Sequence, residues 1–290
     1  MLKIEPLSFR LLSPDHYPAD VAAPLVLDSP HSGTVYPPDF APAIDFAALR
    51  TAEDTWVDDL WSNALELGVP LIGATFPRSY IDANRAADEI DPLLLDGEWP
   101  ETLTPSSKVR LGKGLIWRML DDGTPLYARK LSVDEVRHRI DACWKPYHRA
   151  LGQLLDGAHQ RFGKVWHINC HSMPSVAAAY ATEKPGLVHP DFVLGDRDGT
   201  TAAPEFRQFV AQWLRAKGYD VAENDPYKGV EIVRFFGKPA QGRHSLQIEV
   251  NRKLYMDEAT LRPAPGYARL QSDLRELVAA LLDWMRPQLA

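Results

Sequence analysis

The sequence predicts an α/β fold in which a mostly parallel central sheet is flanked by helices. Three observations carry that prediction. Short apolar runs end abruptly in polar residues, longer stretches of helical period lie between them, and Gly and Pro punctuate these elements without dividing the chain. In such sheets the ligand crevice lies beyond the carboxyl ends of the strands, so polar strand ends are where function is sought.

The elements follow in order. Pro24-Leu-Val-Leu27 reads as a buried strand running into the loop Asp28-Ser-Pro-His-Ser-Gly-Thr34. A helix is expected over residues 45–67, stopped by Gly68, with Phe46, Leu49, Trp56, Leu60, Ala64 and Leu67 as its apolar stripe. Residues 69–73 supply a second strand. Residues 88–123 carry turn signals and no period, which marks an elaboration of the core. Residues 133–162 read as a long helix or helix pair, capped by Ser132 with Glu135 three residues on and kinked near Pro146. Residues 164–170 form the clearest strand and deliver His171 at its end. A helix over 204–217 stops at Gly218, residues 245–250 form a further strand, and a last helix covers 266–285.

With 290 residues, 45% of them hydrophobic, the chain can bury one sizeable core, and a single catalytic domain spanning 1–290 is expected. Lys and Arg total 32 against 39 Asp and Glu, a net charge of -7, which argues against nucleic acid or anionic lipid as a partner. The first residues lack the apolar stretch of a secretory signal, and no run approaches the roughly 18 apolar residues of a membrane span. Cys143 and Cys170 are too few for a disulfide framework or a cysteine metal site, so a cytoplasmic protein is expected.

The chemistry-bearing residues sit at strand ends: His31 after the first, His171 after the third and Glu249 near the end of the last. Taken singly, each histidine is explained as a hydrogen-bonded structural residue. Their shared position, with Glu53 and Asp54 on the intervening helix, favours a metal site instead. Two imidazoles, one carboxylate and an open water position make a catalytic zinc shell, whereas magnesium prefers oxygen ligands. Period-two alternation places Gln247, Glu249 and Asn251 on one face of their strand and Leu246, Ile248 and Val250 on the other. Glu249 is therefore a candidate proton carrier, or else an ion-pair partner of Arg252 or another arginine. Arg78, Arg85, Arg118 and Arg252 offer planar guanidinium groups suited to substrate carboxylates. His167 reads as a satisfied core residue and His148 as a structural helix residue. His244 is a candidate for oxyanion or substrate contact, and Tyr227 and Gly229 belong to a loop able to serve as lid or connector. Cys170 and His171 point to opposite faces and cannot act as a pair.

The ordered segments Pro30-His-Ser-Gly33, Ala52-Glu-Asp54, Asp82-Ala-Asn-Arg85, His171-Ser-Met-Pro174, Asn224-Asp-Pro-Tyr-Lys-Gly229 and Ile248-Glu-Val-Asn-Arg252 resemble the N-formylglutamate amidohydrolase family. The resemblance implies a core similar to the zinc carboxypeptidases (phosphorylase/hydrolase-like). It implies hydrolysis of N-formyl-L-glutamate to formate and L-glutamate, a late step of histidine degradation. It matches His31 and His171 to the two metal histidines, Glu249 to the general base, and Asn84 and Arg85 to the substrate-carboxylate pair. The zinc carboxypeptidases carry a carboxylate ligand three residues after the first histidine, where this chain has Thr34. The third ligand must come from elsewhere, with Asp54 first and Glu53 second.

The expectation is therefore one divalent metal ion, zinc by its ligand set, held by His31, Asp54 and His171, with Glu249 and His244 as catalytic side chains. A small dicarboxylate amide would bind through Arg78, Asn84, Arg85, Arg118, Tyr227 and Arg252. Two rivals keep the fold. One acts on another N-acyl amino acid or a C-terminal peptide bond; the other binds acidic metabolites without catalysis.

Overall fold

The computed structural model describes residues 9–12, 22–177 and 185–289. One sheet contains β1 (Phe9–Leu12), β2 (Leu25–Ser29), β3 (Leu71–Ala74), β4 (Val165–Met173), β5 (Phe192–Gly195), β6 (Val221–Glu223) and β7 (Arg243–Asn251), in the order β1-β3-β2-β4-β7-β5-β6. Strands β2, β4 and β7 run parallel as neighbours; β5 is antiparallel to β7 and carries β6 parallel to itself. The α/β class holds, and the sheet is mixed, though mostly parallel. The strands β5 and β6 escape a periodicity reading because runs of four and three residues are too short to display one.

Register turns the alternation of each central strand into two unlike faces. Leu25 and Leu27 pair with Trp166 and Ile168, and these with His244 and Leu246, while Cys170 pairs with Ile248. This face packs in the apolar core with Val57, Leu60, Phe206, Val210 and Leu214. The long helix α8 (Tyr267–Met285) buries Leu270, Leu274, Leu277, Val278, Leu281 and Met285 there, each at roughly 1.5–3 kcal/mol over exposure. The other face carries Asp28, His167, Asn169, His171, Ser245, Gln247, Glu249 and Asn251, all buried. A buried row of this polarity must be internally satisfied by hydrogen bonds, and it is where a site can form.

Contacts divide the chain into two compact units. One includes Pro30–Glu53 and Gly73–Ala150; the other includes β2, Asp54–Ile72 and Leu151–Ala290. The second unit contains most of the sheet, α6 (Pro204–Ala216), α7 (Glu231–Phe236) and α8. The first is rich in turns, and the helical elements of its residues 88–123 are a short 3₁₀ turn at Pro92–Leu94 and the single-turn helix α3 (Ser107–Arg110). Its regular feature is α4 (Val133–Arg139), where Ser132 and Glu135 close a reciprocal capping box. The discontinuity expected near Pro146 is a π-helical stretch, Ile140–Trp144, ahead of α5 (Lys145–Phe162). A Pro without an N–H is tolerated in the first turn of α5. Among the described residues, no helix is long and apolar enough to cross a membrane.

One helix expectation fails informatively. Residues 45–67 are not one helix but α1 (Phe46–Arg50), a buried turn, α2 (Val57–Leu60) and a 3₁₀ segment, Ser62–Leu67. Trp56 takes a left-handed conformation at φ 69°, which no continuous helix accommodates. Phe46 and Trp56, assigned to a buried stripe, are exposed in consequence. Gly68 does end the segment, at φ 74°.

Candidate metal centre

His31, Asp54 and His171 are all buried, and each offers one ligand atom within 4.8 Å of the other two. The break between α1 and α2 explains how the carboxylate takes part. In the turn before α2 Asp54 is 1% exposed, a position that a solvated helix edge would not give it. Its Oδ2 lies 2.9 Å from His171 Nδ1, and its Oδ1 accepts from Arg252 Nη2 at 3.3 Å. Arg252 also donates from Nε to Ser172 Oγ at 3.1 Å. Arg252 is thus a partner of Asp54. Glu53, the second candidate for third ligand, is engaged elsewhere: it accepts from the Tyr36 hydroxyl and, at 3.2 Å, from Arg50 Nε. Burial and then the charge of Glu53 push the Tyr36 phenol up, so that it stays a donor.

His31 lies in the loop after β2, where Gly33 permits close approach of the chain to the end of β3: a Cβ at residue 33 would sit 2.2 Å from Phe76 O. The imidazole Nε2 is 2.7 Å from Asp82 Oδ1. Asp82 is fully buried, and burial alone would raise its pKa. Interactions with His31, Arg85 and Arg78 outweigh that penalty and hold the carboxyl well below the usual range. Arg78 donates to Oδ2 from Nη2 at 3.1 Å, Trp117 Nε1 at 3.2 Å, and the Asn84 amide to Oδ1 at 2.9 Å. A carboxylate only accepts, so His31 carries its proton on Nε2 and has its lone pair on Nδ1.

His171 reaches the same state through neutral groups. Its Nε2 is 2.8 Å from Asn169 Oδ1, an atom that can only accept. Nε2 therefore carries a proton, and Nδ1 is the nitrogen that faces the Asp54 oxygen 2.9 Å away. Two acceptors so close repel unless a proton or cation lies between them. With the second imidazole completing a buried N₂O donor set, the three side chains fit a divalent ion, and zinc by ligand chemistry.

Beside His171, on the adjacent strand, lies its register partner Glu249. Glu249 accepts from Gln247 Nε2 at 2.8 Å and stands on the polar face, as alternation predicts. His244 does not join it. It pairs in register with Trp166, stacks on that ring at 5.5 Å and accepts from the Ala203 amide at 3.1 Å. An offset of five residues from Glu249 puts it on the opposite face at the other end of β7, which corrects the expectation of a catalytic role.

The arginine set disperses over several partners. Arg78 joins the Asp82 cluster and lies 4.9 Å over Trp117. Arg85 is held by Lys113 O at 3.1 Å and Asn84 O at 2.8 Å, and Arg118 by Asp91 at 2.7 Å. Tyr227 sits edge-on to His189 at 5.5 Å in a loop closed by Gly229, φ 92°. His167 is a satisfied core residue, as its sequence position suggests, and His148 bonds Ala83 O at 2.8 Å. Cys170 lies in the apolar core on the face away from His171. Sequence reasoning assigned no role to Asp28, Asp82 or Asn169. Asp82 alone had a signal, its place in the Asp82-Ala-Asn-Arg85 segment.

Comparison with known proteins bears on the same geometry. The sequence model of N-formylglutamate amidohydrolase matches residues 23–256. An N-formylglutamate deformylase of Pseudomonas aeruginosa is 30% identical over 281 residues, covering 92% of this chain and 96% of the relative. Another, from Pseudomonas putida, is 28% identical over 268 residues, covering 90% and 93%. The crystal structure of an N-formylglutamate amidohydrolase from Ralstonia eutropha JMP134 aligns with TM-score 0.90 and 49% identity, over 97% of this chain and 99% of that one. A gene product of Agrobacterium tumefaciens at 17% identity and TM-score 0.69, over 98% of both chains, shares the fold.

Proposed function

The chain belongs to the N-formylglutamate amidohydrolase family, and from that premise we propose that it hydrolyses N-formyl-L-glutamate to formate and L-glutamate, the late step of histidine degradation that the family resemblance implies. It is a metal-dependent amidohydrolase with a candidate site at His31, Asp54 and His171. The observation that carries the reading is this buried donor set with a carboxylate, Glu249, in register beside one of its histidines.

A divalent ion held there, zinc in our reading, supplies a Lewis acid and lowers the pKa of a coordinated water. The side chains do the rest. Glu249, oriented by Gln247, takes a proton from the attacking water and hands it to the departing amide nitrogen. Arg78, Asn84, Arg85, Arg118, Tyr227 and Arg252 are the proposed anchors of the two glutamate carboxylates, a task for which guanidinium groups are suited. Arg252 has a second task, since its contact with Asp54 also fixes a ligand carboxylate. What supports a core similar to the zinc carboxypeptidases is a mostly parallel sheet with its metal candidates near the carboxyl ends of β2 and β4. The full chain is proposed to act as one catalytic domain. Two reduced, buried cysteines suit a cytoplasmic setting.

The test is a panel of formyl, acetyl and succinyl derivatives of Glu, Asp and Gln with metal-free and zinc-loaded protein. Zinc-dependent formate release confined to formyl-Glu is expected; activity confined to larger acyl groups would overturn the substrate. Glu249→Gln should keep its metal content and lose about 10²–10⁴-fold in kcat, the range for a general base. A fully active variant removes Glu249 from the mechanism.

A further inference from the structure

Behind His171 the polar face of the sheet continues as an unbroken chain of hydrogen bonds with a defined direction. Asp28 Oδ1 accepts from His167 Nε2 at 2.9 Å and from Asn169 Nδ2 at 2.7 Å. A carboxylate only accepts, so both partners are forced to donate. His167 then accepts at Nδ1 from the Ser245 hydroxyl, 2.7 Å away. The amide of Asn169 can point only one way: its NH₂ toward Asp28 and its oxygen toward His171 Nε2. All four residues are at most 1% exposed.

Ser245, His167 and Asp28 lie in the order of a hydrolytic triad, but a hydroxyl buried to this degree cannot meet a substrate. The productive end of the chain is the other one. We propose that Asn169 is a positioning residue for the metal centre, and that Asp28 and His167 lock its amide so that His171 is held with a proton on Nε2 and with Nδ1 turned toward Asp54 and His31, where the metal would sit. Without the amide oxygen, the imidazole is free to put its proton on Nδ1 against Asp54 and is lost as a ligand. A partner on the far nitrogen of a ligating histidine sets its tautomer, its orientation and its basicity. The pairings that build the device are register neighbours, Asp28 with Asn169 across β2–β4 and His167 with Ser245 across β4–β7.

The inference rests on the metal reading above, so the experiment separates the two. Histidine-ring ¹⁵N spectra of the metal-free protein report the tautomer, and chelator competition reports the zinc dissociation constant. Wild type should show His171 in a single form protonated at Nε2. Asn169→Ala should lose that single tautomer and bind zinc about 10–100-fold more weakly. The exchange Asp28→Asn with Asn169→Asp keeps an acceptor on His171 Nε2 and a donor–acceptor pair behind it, with His167 moving its own proton to Nδ1 toward Ser245, and should restore both the Nε2 proton of His171 and an affinity within about tenfold of wild type or tighter. A wild-type His171 without a proton on Nε2, a folded Asn169→Ala with unchanged affinity, or an exchange variant that recovers neither would each overturn the proposal. Wild type that binds no zinc, with the Nε2–H tautomer present, sinks the metal reading alone.

Discussion

The two ligand histidines are held by opposite means. His31 is pinned by a charge, the Asp82 carboxylate, itself ringed by Arg78, Arg85, Asn84 and Trp117. His171 is pinned by a neutral amide, Asn169, whose own orientation is dictated one step further back by Asp28. The difference teaches that one geometric requirement, a proton on Nε2, can be met in two currencies of interaction. An ionic cluster is costly to break, because removing one member leaves the others buried with an uncompensated charge. An amide relay stabilises little beyond the orientation it sets. Breaking the first should therefore damage the fold most, and breaking the second should damage ligand geometry selectively.

The sharpest way to break this comparison is Asp82→Ala. It strands the buried Arg85 and the half-buried Arg78 without their carboxylate, so the metal-free protein should lose about 3–5 kcal/mol in urea unfolding. Asn169→Ala, measured the same way, should lose about 1–3 kcal/mol, the cost of an unsatisfied buried group. Equal losses, or the reverse order, would mean that the charged and neutral supports are not different in kind.

Gly33→Ala tests the His31 side without touching a polar group. The added Cβ meets Phe76 O at 2.2 Å and the Thr75 carbonyl carbon at 2.5 Å, both backbone atoms that cannot swing aside. The loop must shift, at about 1–3 kcal/mol, and carry His31 with it. Zinc affinity should fall although Asp82 is intact. Unchanged affinity would show that the Asp82 contact alone positions the ring.

The same contrast marks how far the sequence could be read. His31, His171 and Glu249 were legible because strand ends are local: an apolar run stops and a polar residue follows. The two faces of β7 were legible because alternation has a period of two. Asp54 was legible as a residue but not as a position, since Trp56 adopts φ 69° without the glycine or asparagine that would signal it. The relay could not be seen at all. Asp28 and Asn169 are 141 residues apart and meet only through the parallel register of β2 and β4. Antiparallel β5 was missed for a related reason, because what defines its place is its pairing with β7 and not its four-residue sequence.

A surface counterpart to Asp82 gives the smallest and most pH-sensitive effect. Glu135, capping α4, accepts from the Ser132 amide at 2.8 Å and from Arg129 Nη1 at 2.9 Å. The hydrogen bond from Arg129, aided by the Ser132 amide, lowers its carboxyl from 4.5 to about 2. A folded-state value below the unfolded one means stability that is fully present above pH 4.5 and is lost as pH falls toward 2. Arg129 is half-exposed, so solvent screens much of the pair, and Glu135→Gln should cost only about 0.5–1 kcal/mol at pH 7. That cost should shrink toward zero as pH falls toward 2, when wild type is protonated as well. A loss at pH 7 as large as that of Asp82→Ala would mean that burial is not what makes the Asp82 cluster costly to break, and the comparison between charged and neutral supports would lose its physical basis.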